Sequence, residues 1–152
     1  VSLRGLKNWK QLELFDREAQ ILQNLQHEAI PKYIDYFEID TVDDKKFYLV
    51  QQLAPGTPLT RRVEEGWRPT ESEIEQIAIQ ILDVLDYMSS LRPPVIHRDL
   101  KPDNIIFDKD TNKAFVVDFG GVQAVAAKMN TYVGGSTIIG TFGYAAPEQF
   151  SG

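Results

Sequence analysis

The sequence predicts an α+β fold: a helix and a strand pair, then a longer helix and three further short strands. Three observations carry that prediction. Apolar residues recur at steps of three and four in two separate stretches, Leu12 to Leu25 and Ile74 to Met88, as on the buried face of a helix. Between those stretches, and again after the second, β-branched and aromatic residues gather in short runs divided by polar turns. Proline clusters, Pro55-Gly56-Thr57-Pro58 and Pro93-Pro94, punctuate the chain where a helix cannot continue.

The first helix is expected within residues 9–26, with Leu12, Phe15, Ala19, Leu22 and Leu25 on one face and Pro31 ending the pattern. Residues 33–39 and 47–53 read as an antiparallel hairpin around the polar stretch Asp40-Thr41-Val42-Asp43-Asp44-Lys45. The Pro-Gly cluster that follows marks a boundary, dividing the chain into units 1–54 and 55–152. Thr70, with Glu73 three residues on and Pro69 upstream, forms a capping-box signature that starts the second helix. Its apolar stripe of Ile74, Ile77, Ala78, Ile81, Leu82, Leu85 and Met88 is wide enough to be buried. Short strands at Val95-Ile96 and Ile105-Ile106-Phe107 hold an octapeptide between them, and the second pairs with residues 114–117 across Asp108-Lys109-Asp110-Thr111-Asn112. Residues 121–143, rich in Gly and Thr, carry no expected element, and there is no internal repeat or low-complexity tract.

Composition narrows the function. A formal net charge of −6, with no basic run longer than Arg61-Arg62, argues against nucleic acid as a partner. The absence of cysteine excludes a disulfide framework, a thiol nucleophile and a thiolate zinc site, and it fits cytoplasmic folding. Apolar runs stay far below the roughly 20 residues that span a bilayer, so no membrane segment is expected within this chain.

The octapeptide His97-Arg98-Asp99-Leu100-Lys101-Pro102-Asp103-Asn104 brings a base, a cation and a metal donor together. Asp118-Phe119-Gly120 and Ala146-Pro147-Glu148 follow in that order. These three blocks resemble the eukaryotic-type protein kinase family, and Lys101 resembles its serine/threonine branch. The wording of the helix and loop segments resembles bacterial, cyanobacterial members. The resemblance implies a protein-kinase-like two-lobed fold, incomplete at both ends, with a partial N-lobe in 1–54 and a partial C-lobe in 55–152. It further implies ATP and Mg2+ as cofactors and transfer of the γ-phosphate of ATP to a Ser or Thr hydroxyl of a protein substrate.

Site roles follow from the same resemblance. Asp99 would orient the substrate hydroxyl and take its proton late, Lys101 would neutralise the transferring phosphate, and Asn104 and Asp118 would hold the metal. Glu18 resembles the helix glutamate that pairs with a strand lysine, with Glu13 as its competitor. Gln52 and Ala54 would bond adenine through their backbones, Gln51 would guard the rear of the pocket, and Ile106 would lie beneath the base. Leu22, Tyr33, His97 and Phe119 match the stack of side chains joining the lobes, which makes His97 a packed residue and not a proton shuttle. Thr141 matches a threonine bridging Asp99 and Lys101, and Arg98 matches an arginine that pairs with a phosphate on Thr131, Ser136 or Thr137. Glu148 would pair with an arginine beyond Gly152.

Two departures qualify the match. Gly121 follows Asp-Phe-Gly where a larger residue is usual, and a doubled glycine would ease rotation of Phe119 toward an inactive state. The Gly-rich loop and strand lysine of the family do not appear in these residues, where Lys7 and Lys10 lie at the start of a helix. A pseudokinase that keeps the fold as a scaffold is therefore the alternative to an active enzyme. A small-molecule phosphotransferase is disfavoured by Lys101 together with the Ala-Pro-Glu motif. The 152 residues alone are expected to expose apolar surface, to be marginally stable and to lack kinase activity.

Overall fold

A computed structural model describes residues 9–41, 45–121, 123–124 and 141–150. Helix α1 (Trp9–Leu22) ends four residues before the expected limit, and the hairpin β1 (Tyr33–Asp40) and β2 (Lys45–Gln51) that follows lies within two residues of the expected bounds. The inward face of α1 is Ala19 and Leu22, both buried; the side chains of Leu12 and Glu13 lie outside the described residues. β1 and β2 pair antiparallel with Tyr36 opposite Leu49 and Phe37 opposite Tyr48, and an irregularity between Tyr33 and Asp35 shifts the register. Alternation then separates the faces: Phe47 is buried, whereas Phe37 and Tyr48 stack on each other at 5.1 Å on the exposed side.

The chain next makes two elements that local pattern does not foretell. Strand β3 (Thr57–Pro58) pairs with β5 (Ile105–Asp108), and helix α2 (Leu59–Glu64) follows at once. Gly56 permits this crossing: its φ is +108°, and a Cβ there would lie 2.4 Å from the Phe107 carbonyl oxygen. Arg62 on α2 donates to that same carbonyl at 3.0 and 3.2 Å and lies over the rings of Trp67 and Phe107.

Helix α3 (Glu71–Ser90) starts as expected. The Thr70 hydroxyl accepts from the Glu73 N–H and the Glu73 carboxylate accepts from the Thr70 N–H, closing the capping box. Its buried line differs from the expected stripe. Ile77, Val84 and Met88 are buried, but Ile74, Ala78 and Leu82 are exposed, because the row at 74, 78 and 82 lies to one side of the covered line. That uncovered row borders an open apolar groove lined with Leu59, Trp67, Pro69, Ile77 and Ile81.

Strand β4 (Val95–Ile96) follows α3, then β5 and β6 (Lys113–Val116) form the second hairpin, and the sheet runs β3-β5-β6. β7 (Gln123–Ala124), in a stretch expected to hold no element, returns to pair with β4. Among the described residues two buried clusters result. One gathers Leu22, Leu25, Ala29, Ile30, Val84, Met88, Val116 and Phe119, and so crosses the expected boundary at residue 54; the other gathers Ile77, Ile105, Phe107 and Ala114. Among the described residues no helix is long and apolar enough to cross a membrane.

Candidate active site

The octapeptide is fastened at both ends, by β4 pairing with β7 and by β5 pairing with β6. Between them the chain turns through a left-handed Arg98 (φ 69°) and a 3-10 turn at Pro102–Asn104. A second loop, carrying Asp118 at φ 64°, runs alongside, and the Val117 N–H donates to the Asn104 carbonyl at 3.0 Å. Arg98 and Asp118 both adopt the left-handed region, and this backbone bond ties the loops that carry them.

Asp99, Lys101 and Thr141 form a closed ring of bonds. The Thr141 hydroxyl donates to Asp99 Oδ1 at 2.7 Å, and Lys101 Nζ lies 2.8 Å from Thr141 Oγ1 and 3.0 Å from Asp99 Oδ2. Asn104, buried, donates through Nδ2 to the Asp99 carbonyl at 2.9 Å and sits 3.4 Å from Asp99 Oδ2. Burial works against the Asp99 charge, but the bonds from Thr141 and Lys101 and the Lys101 charge outweigh it and hold the carboxyl below its usual range. The bond to Asp99 correspondingly raises the Lys101 pKa.

His97 is buried, with its ring 5.0 Å from that of Phe119 and Nε2 3.3 Å from the Val117 carbonyl. Burial pushes its pKa down, against the Val117 carbonyl and the charges of Asp118 and Asp99, so the ring is a neutral packing element near pH 7. Leu22 and Phe119 share its neighbourhood in the larger core cluster, against which Tyr33 packs.

Asp118 is exposed, and its carboxylate accepts only weakly from the Gly120 N–H at 3.3 Å. Glu18 comes to this loop from α1. Burial, and then the nearby Asp118 charge, raise its carboxyl to about 7, against a lowering hydrogen bond from the Phe119 backbone. α1 thus delivers Glu18 to the Asp118-Phe119-Gly120 loop. Gln52 and Ala54 follow β2; the Gln52 N–H is spent on the Lys32 carbonyl at 2.8 Å, so its carbonyl is the backbone group that can serve a ligand. Ile106 is half-buried on β5, opposite Phe115 and Pro58.

Burial, and then the charge of Arg17 on α1, lower the Arg98 pKa. Thr131, Ser136 and Thr137 lie outside the described residues. Glu148 is exposed on the 3-10 turn Pro147–Phe150. Beside it, Gln149 bonds to the Arg98 carbonyl at 2.8 Å. Nothing in the sequence singles out Gln149, because a bond to a main-chain carbonyl leaves no sequence signature.

The donor set suits magnesium. Asn104 turns its amide nitrogen to Asp99, leaving a neutral amide oxygen, and Asp118 supplies an anionic one; Mg2+ takes one or two such protein oxygens and completes its shell with water and phosphate.

Comparison with known proteins agrees with this geometry. The profile of the protein kinase domain matches residues 1–152. Serine/threonine-protein kinase B of Synechocystis sp. is 38% identical over 146 residues, which are 91% of this chain and 24% of that protein. Serine/threonine-protein kinase PknA of Nostoc sp. is 38% identical over 145 residues, 92% of this chain and 25% of its own length. A crystal structure of Rad53 1-466 in complex with AMP-PNP matches with a TM-score of 0.68 at 30% identity, covering 79% of this chain and 30% of that one. The chain therefore spans about a quarter of the length of these curated relatives.

Proposed function

This chain belongs to the protein kinase domain family, and from that premise we propose that it is the central part of an active protein serine/threonine kinase, with residues 1–54 in the small lobe and 55–152 in the large one. The observation that carries the proposal is the ring joining Asp99, Thr141 and Lys101. A carboxylate has about four lone-pair sites, and Thr141, Lys101 and Asn104 engage three, which orients the group and leaves capacity for a substrate hydroxyl.

In the transfer, the acceptor oxygen bonds to the γ-phosphorus as the bond to the departing ADP oxygen breaks, and the hydroxyl proton passes to Asp99. A carboxylate held below its usual pKa is a weak base, so its main task is to aim the hydroxyl, with proton transfer late. Lys101, kept protonated by Asp99, carries positive charge to the equatorial phosphate oxygens. Magnesium held by Asn104 and Asp118 would neutralise phosphate charge. Gln52 and Ala54 would bond adenine above Ile106, Gln51 would border the pocket, and Glu18 would receive the strand lysine that clamps the phosphates. ATP as donor puts the reaction in the cytoplasm. Arg98 would pair with a phosphate on Thr131, Ser136 or Thr137. Mass spectrometry of the active protein is expected to find that phosphate; an unmodified, fully active protein would remove this part.

The test of the function is ATP-dependent phosphorylation of a generic Ser/Thr protein substrate by the full-length protein. Transfer abolished by Asp99→Asn is the expected result. ATP binding with no Asp99-dependent transfer would overturn it in favour of a pseudokinase scaffold.

A further inference from the structure

Gln149 lies one residue beyond the last motif, yet its side-chain amide joins two separate loops. Oε1 accepts from the Ala146 N–H at 3.1 Å, and Nε2 donates to the Arg98 carbonyl at 2.8 Å. The Gln149 N–H also donates to the Ala146 carbonyl at 2.9 Å, so the turn that carries the side chain is itself closed. The first side-chain bond fixes which way the amide faces. The second crosses to the catalytic loop.

The carbonyl it reaches is well placed to matter. Arg98 sits in the left-handed region, and its carbonyl belongs to the peptide plane immediately before Asp99. The plane immediately after Asp99 is held as well, by Asn104 donating to the Asp99 carbonyl at 2.9 Å. Two side-chain amides, Gln149 from one side and Asn104 from the other, pin the planes that define the Asp99 backbone. Those planes set the direction in which its carboxylate leaves the chain. Gln149 also makes the segment from Thr141 to Phe150 a two-point attachment: Thr141 meets the Asp99 carboxylate, and Gln149 meets the backbone that carries it.

We propose that Gln149 is a positioning residue for phosphoryl transfer, acting through the Arg98 carbonyl to aim Asp99 and to make that aim depend on the docking of residues 141–150. The role rests on the kinase reading above. It needs a donor and an acceptor on one side chain of this length. Glutamate has no donor and would set an anionic oxygen against the Arg98 carbonyl, methionine fills a similar volume without either group, and asparagine is one methylene short.

The experiment is steady-state kinetics and thermal unfolding of the full-length protein with Gln149→Met and Gln149→Glu. Both are expected to lower kcat about ten- to a hundredfold while KM for ATP stays within about twofold, since the loss falls on the aligned reacting geometry and not on nucleotide binding. The thermal midpoint of the Met variant is expected to stay near that of the wild type. A Met variant with wild-type kcat would mean that Gln149 supplies packing alone, and a rise in KM for ATP at unchanged kcat would place its effect in binding; either overturns the proposal. Should the Met variant fail to fold, the isosteric Glu variant is read by the same two criteria. A wild-type protein with no Asp99-dependent transfer would sink the kinase reading and this role with it, whereas an active wild type beside fully active variants sinks only this role.

Discussion

Asp99 and Glu18 are both acidic groups near the Phe119 loop, and their surroundings push them in opposite directions. Around Asp99, donors outweigh burial, and the carboxyl is held below its usual range. Around Glu18, burial and the Asp118 charge outweigh a single backbone hydrogen bond, and the carboxyl rises to about 7. The difference teaches that depth of burial and the donors around a carboxyl decide its charge together: Glu18 is the more deeply buried and poor in donors, and Asp99 is less buried and rich in them. Asp99 has Thr141, Lys101 and Asn104 from its own loop and a neighbouring segment, whereas Glu18 meets an anion.

The contrast can be broken most forcefully at Asp99. Asp99→Asn keeps the shape and removes the base, and phosphoryl transfer by the full-length protein is expected to fall about a hundred- to ten-thousandfold in kcat. Glu18 offers the next largest effect. Its folded pKa lies above the value of 4.5 for an unperturbed glutamate, so the folded chain binds the extra proton; the Glu18 contribution to stability is fully present below 4.5 and is lost as pH rises through about 7. The decline amounts to no more than about 3 kcal/mol, less whatever solvent screens. His97, pushed below its ordinary 6.5, works the other way and costs stability as pH falls through that value. Urea midpoints of the 152-residue chain at pH 5 and pH 8, compared with Glu18→Gln, isolate the Glu18 part. Equal pH dependence in the two proteins would show that Glu18 ionises normally.

Thr141→Val tests the donor side. It removes one bond to Asp99 and one acceptor for Lys101, and kcat is expected to drop about tenfold with KM for ATP little changed. The smallest effect belongs to a carboxylate in water: Glu28 pairs with Lys113 at 3.1 Å, with side chains 77% and 54% exposed. Lys113→Ala is expected to change stability by under about 1 kcal/mol in chemical denaturation. A larger loss would mean that solvent exposure is a poor guide to these carboxylates.

Legibility in the sequence follows the same division between local and long-range causes. The capping box at Thr70 and Glu73 was readable because both partners lie within one turn. The two hairpins were readable because alternation and turn chemistry are local too. β3 and α2 were not, since Pro55-Gly56-Thr57-Pro58 reads as a break and six residues are too few to show a period. On α3, periodicity gave an apolar stripe but not the angle at which neighbours would cover it, so Ile74 and Leu82 emerged exposed while Val84 was buried. In the site, the catalytic octapeptide and the Asp-Phe-Gly motif were legible as strings, and the bridge from Thr141 to Asp99 followed from the family resemblance. The bond from Gln149 to Arg98 was not legible, because it joins residues about fifty positions apart and ends on a main-chain carbonyl that has no sequence signature.

Gly56 has a consequence for how substitutions along this chain will be tolerated. It is exposed, and by accessibility it ranks with the residues that accept almost any replacement. Its missing Cβ, however, is what lets the chain cross the Phe107 carbonyl, and its φ of +108° is one that other residues rarely adopt. A saturation-mutagenesis survey would therefore score position 56 as intolerant as an interior site, and a surface patch of intolerance read there as a docking epitope would be mistaken: the constraint is the width of a backbone crossing.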